Sequence, residues 1–84
     1  MKDFKGFFEY TEGRIEAIKE EIEIIKREIE CHKEWLKNAK LMDDKEEVSR
    51  YRKLIEYNKK RIIEDEAIIS FWLRATIKFE EKEQ

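Results

Sequence analysis

Eighty-four residues allow one domain with a small core, and with 48% charged against 40% apolar residues oligomerisation is one of the few routes to firm stability. Nineteen bases against 21 acids leave a net charge of −2, which argues against a general nucleic-acid binder. The single cysteine, Cys31, cannot close a disulfide within the chain, and one histidine leaves too few ligands for a metal, so neither a metal nor any other cofactor is expected.

The chain opens on MKDFKGFF, which lacks the continuous apolar run of a signal peptide. The best candidate for a membrane span lies near the other end and is interrupted by Arg74 and Lys78. The expected location is the cytoplasm, or a host's cytoplasm if the gene is viral. An abundance of Lys, Glu and Ile fits a hyperthermophile or an AT-rich genome equally well.

The first predicted helix covers about residues 3–40. Its heptads EAIKEEI, EIIKREI and ECHKEWL align column by column from residue 16 to residue 36. The seam Phe8, Thr11, Ile15, Ile18, Ile22, Ile25, Ile29, His32, Leu36 and Ala39 advances by alternating steps of three and four, the a/d pattern of a coiled coil. Gly13 leaves open a break early in this helix, with Thr11 as cap of a restart. A turn follows over about residues 41–44, where Asp44 and Glu47 have capping-box spacing.

The second predicted helix covers about residues 45–82, with the seam Val48, Tyr51, Ile55, Asn58, Ile62, Asp65, Ile69, Trp72, Thr76 and Phe79. A short turn forces the helices antiparallel. The expected fold is therefore all-α: residues 1–84 form one antiparallel two-helix coiled-coil hairpin, paired with a second copy into a four-helix bundle. Folding the seams about the turn sets Ile25 opposite Ile62, Ile18 opposite Ile69 and Thr11 opposite Thr76. On one flank Trp35 falls near Leu54 and Glu28 near Arg61. The other flank sets Lys19, Lys26, Lys33 and Lys40 against Lys45, Arg52 and Lys59, a repulsive arrangement unless acids intervene.

Three polar residues interrupt the seams. His32 has Glu28 four residues before it, whereas a bundle metal site needs a Glu-x-x-His spacing, so a core histidine meeting a polar partner is the better reading. Asn58 and Asp65 read as devices that set register or oligomeric state at a cost in stability. An ionised Asp65 in a core must be paired, and Arg61 or Lys19 could serve.

Catalysis finds little support. Ser49 and Ser70, the only serines, have no base placed beside them, and two glycines cradle no phosphate loop. The segment RYRKLIEYNKKR holds Arg50, Arg52, Lys53, Lys59 and Lys60 with tyrosines interleaved, a pattern suited to phosphate or to a solvated charged face. The segment AIISFWLRATIKF has apolar residues on every side of a helix, so Ile68, Phe71, Leu73 and Ile77 fall off the seam. A membrane-surface anchor would use the same residues, but an oligomer contact explains them without lipid.

These patterns point to a non-catalytic protein–protein interaction module, of the kind phages and mobile elements use as small inhibitors or adaptors that occupy a partner's surface. The expected contact surface for self-association, a homodimer above all, or for another protein is Phe4, Phe7, Phe8, Tyr10, Ile68, Phe71, Trp72, Ile77 and Phe79, at the end of the rod away from the turn. The alternative is a nucleic-acid or anion binder using Arg50, Arg52, Lys53, Lys59 and Lys60.

Overall fold

The computed structural model describes residues 4–83, and of Phe4, Phe79, Lys82 and Glu83 the backbone only. Two long helices, α1 (Phe4–Leu41) and α2 (Lys45–Glu83), pack against each other as a hairpin. The result is a rod of 64 × 15 × 12 Å with a radius of gyration of 19.0 Å. A compact chain of this length would have a radius of about 12 Å.

Helix α1 runs through Gly13 without a break. Thr11 starts no new helix. Its Oγ1 donates to the carbonyl of Phe7 at 2.8 Å, and Thr76 does the same to Trp72 at 2.9 Å. Returning the hydroxyl to its own helix satisfies it and leaves the methyl for packing. Thr11 can therefore sit 2% exposed in a seam made mostly of isoleucine.

The turn fits two caps into three residues. Asp43 takes a positive φ of 56° and ends α1. Its amide donates to the carbonyl of Lys40, and the amide of Asp44 reaches back to Ala39 at 3.0 Å, the paired bonds of a Schellman ending. Asp44 then caps α2, its Oδ1 accepting from the amide of Glu47 at 3.2 Å. The capping box is only half made, because the Asp44 amide is already used by α1. The Glu47 carboxylate turns instead to Arg50, at 2.7 Å.

Every seam side chain among the described residues is buried or half-buried. The apolar core is Ile15, Ile18, Ile22, Ile25, Ile29, Ala39 and Ile55, and its tightest part gathers Ile25, Ile29 and Ile55 with Leu36 and Ile62. Isoleucine has one strongly preferred rotamer in a helix, so it loses little freedom on packing. Contacts between the helices set their alignment: Tyr10 meets Trp72, Glu21 meets Arg61 and His32 stacks on Tyr51.

Two substitutions probe this frame. A Cβ at Gly13 would meet nothing within 4 Å, so Gly13→Ala should raise stability by about 0.5–1 kcal/mol through the entropy of the unfolded chain. Asp44→Ala should lower it by about 1 kcal/mol through loss of the cap. Urea titrations of the two variants at one protein concentration check both signs.

Candidate interaction surface

The polar positions of the seam lean toward one side of the rod. Asp65 holds a buried Oδ2 that has no hydrogen-bond partner among the described residues. Burial pushes its carboxyl above the usual carboxylate range, a hydrogen bond to Glu21 and that residue's charge push further, and Arg61 opposes them. Arg61 spends its guanidinium on Glu21, at 3.2 Å, and not directly on Asp65. His32 is half-buried with an unpartnered Nδ1 among the described residues, and its ring lies 5.5 Å from Trp35 and 6.3 Å from Tyr51. Asn58 is 3% exposed.

Aromatic side chains form two clusters on that same side. Away from the turn, Tyr10 packs edge-on against Trp72 at 5.8 Å, and Phe71 against Trp72 at 5.6 Å. Phe7 and Phe8 lie beside each other at 6.4 Å, both half-buried. Nearer the turn, Trp35 meets Tyr51 at 5.7 Å. Between the clusters, Arg61 bridges Glu21 and the ring of Tyr57.

These contacts define a face. On α1 it carries Tyr10, Ile24 and Trp35, and on α2 Leu54, Tyr57, Ile68 and Phe71, all of them exposed. Of the residues expected from sequence to make contacts, Tyr10, Ile68 and Phe71 belong here, with Phe7 and Trp72 half-buried at its edge. Ile77 is exposed, but its place in the helical turn directs it to the other side, with Ile63 and Leu73. The side chains of Phe4 and Phe79 lie outside the described residues.

Trp35, Leu54 and Tyr57, in the half of the rod nearer the turn, were missed as surface residues. Trp35 is 50% exposed and Tyr57 60%. The signal was present in the sequence: Leu54, Tyr57, Ile68 and Phe71 are one stripe of α2, offset from the seam by one position on the helical wheel.

The opposite side combines charged residues with the exposed Ile63, Leu73 and Ile77. Lys26 pairs with Glu23 and Lys33 with Glu30, each at 3.5 Å, so acids of the same helix temper the lysine row. Near the turn, Lys40, Lys45, Arg52 and Lys53 line a shallow groove of ≈ 520 Å³ with Asp43 and Glu56. The basic run of α2 does not form one patch. Arg50 turns to Glu47 and Tyr51, a hydrogen bond from its guanidinium to the Tyr51 hydroxyl and the charge of Glu47 holding it above its ordinary range. Arg52 and Lys53 line the groove, while Lys59 and Lys60 stand exposed further along.

Among the described residues, no three His, Cys, Asp or Glu side chains converge as a metal site would require, and no helix is long and apolar enough to cross a membrane. Comparison with known proteins returns no match: no family model, no curated protein and no solved structure aligns with the chain.

The Asp65 carboxyl has a raised pKa in the fold, so the fold prefers its protonated form. That contribution is complete below the unfolded carboxylate value and is lost as pH rises through the raised one. Asp65→Asn keeps a donor for Glu21 and carries no charge, so it should raise Tm at neutral pH and leave Tm little changed in acid. Thermal melts between about pH 4 and pH 7 decide the matter; a lower Tm for the variant at neutral pH would mean that Arg61 more than compensates the buried charge.

Proposed function

We propose that this chain is a non-catalytic protein–protein interaction module. It is an antiparallel coiled-coil hairpin that pairs with a second copy into a four-helix bundle and works by occupying the surface of a partner, as a small inhibitor or adaptor would. The observation that carries this reading is surface in excess of what the chain's size allows. The accessible surface is 6803 Å², against about 5,400 Å² for a compact monomer of this mass. The surplus of roughly 1,400 Å² exceeds the ~800 Å² that each partner contributes to a standard interface. Seven of the twelve exposed large hydrophobic side chains among the described residues share one face, the kind of patch that marks interaction surfaces.

The isoleucine at both kinds of seam position in α1 supports the same reading, because that choice favours more than two strands in parallel coiled coils. A second hairpin would cover Tyr10, Ile24, Trp35, Ile68 and Phe71 at once. Light scattering at tens of micromolar should give twice the monomer mass of 10.4 kDa. Phe71→Ala should weaken the association by about 2 kcal/mol or more while the helical circular-dichroism signal persists. A strictly monomeric mass would count against self-association and move weight to a different protein partner.

A second reading rests on the groove lined by Lys40, Lys45, Arg52 and Lys53. In it the chain binds an anion or nucleic acid through this side, with Lys59 and Lys60 widening the contact. Phosphate contacts of that number would lose roughly a thousandfold in affinity between about 50 and 200 mM salt, whereas an apolar protein contact responds little. Absence of any shift with mixed-sequence DNA and RNA at low salt would eliminate this reading.

A further inference from the structure

The exposed apolar face has an internal symmetry that says how a second copy would lie on it. Along α1 the face holds Phe7, Arg14, Glu21, Glu28 and Trp35, each seven residues from the next. Read outward from Glu21, the first step meets opposite charges, Arg14 and Glu28, and the second meets aromatics, Phe7 and Trp35. Along α2 the corresponding midpoint is Glu64, with Tyr57 and Phe71 seven residues to either side. The two midpoints lie at the same level of the rod. Glu21 touches Arg61 at 3.2 Å and lies against the Asp65 carboxyl, and these two residues bracket Glu64 in α2.

One two-fold axis through this level therefore suits α1 from Phe7 to Trp35 and the central stretch of α2 from Tyr57 to Phe71. Rotation about it sets Phe7 on the copy's Trp35, Arg14 on its Glu28, and Tyr57 on its Phe71. It also brings Arg61 within reach of the copy's Glu64. The two Glu21 side chains meet near the axis, where the two Arg61 guanidinium groups flank them. Copies laid in the same direction do worse. The contact of Tyr10 with Trp72 places Arg14 at the level of Ile68, so that arrangement would set a cation against an aliphatic side chain.

We propose, on the self-association reading above, that a second copy of this chain covers this face with its turn pointing the opposite way, α1 on α1 and α2 on α2, about a two-fold axis passing Glu21 and Glu64. The charged centre supplies the register, and the aromatic cluster of each open end packs on the turn-side cluster of the other copy. Like faces meeting in this way close the assembly at two chains.

Two cysteine variants in a Cys31→Ser background test the orientation. Glu21→Cys places its thiol beside its own symmetry mate, so mild oxidation should give one covalent dimer as the main product. Spin labels on Lys45→Cys, an exposed position at the start of α2, should stand about 57 Å apart along the rod, 19 residues from the axis on each copy at 1.5 Å per residue. Copies laid in the same direction would bring those labels within the width of a bundle, about 20–25 Å. A dimeric mass with the short label distance and no Glu21→Cys cross-link would overturn this orientation and leave self-association standing. A monomeric mass for the unmodified chain would remove the reading on which the orientation rests.

Discussion

A two-helix hairpin can bury only one stripe of each helix. In this chain the buried stripe is a seam of isoleucines, and the distribution of every other side chain follows from that limit. Ile25 is 1% exposed and Ile22 and Ile18 each 7%, while most residues one position off the stripe stay in water whatever their chemistry. The helices are long because nothing in the sequence interrupts them between caps. Their length multiplies the seam without thickening the core, which is why the molecule is a rod with more surface than its mass warrants.

Against that frame the polar seam residues acquire meaning. A threonine can occupy the seam at little cost, because Thr11 and Thr76 return their hydroxyls to their own helices. An aspartate cannot. Asp65 keeps an unpartnered buried oxygen beside Glu21, and the cation that might have answered it is engaged with Glu21 itself. The centre of the rod is thus less stable than an apolar layer would be. A group retained at such a cost is reasonably sought in specificity, and the mid-level position of Asp65, Glu21 and Arg61 is where a second hairpin could use them to set register.

The two sides of the rod differ in kind. One carries lysines paired to glutamates of their own helix, which adds solubility more than stability, with Ile63, Leu73 and Ile77 scattered among the charges. The other presents aromatic and aliphatic side chains around a central ion pair, the composition expected where a partner sits. Exposed tyrosine, tryptophan and phenylalanine bury large area at small entropic cost when covered. The proposed function and the proposed pairing both rest on that asymmetry.

Helix positions, turn and seam were legible in the sequence, because each is a local or periodic property. Asp44 and Glu47 announce a cap by spacing, and the three-and-four steps of Ile15 to Ile29 announce a buried stripe before any partner is known. Gly13 was ambiguous, since a single glycine costs a helix too little to decide between a break and continuity; packing of the seam on both sides of it decided for continuity. The tertiary structure alone settled which cation answers which acid: Arg61, expected beside Glu28 or Asp65, meets Glu21 instead, because sequence spacing does not rank acids on the facing helix. It also settled that Trp35, Leu54 and Tyr57 remain exposed and share a side with Tyr10, Ile68 and Phe71. A helical sequence specifies angles around its own axis, but whether a side chain at a given angle is covered depends on where the other helix lies.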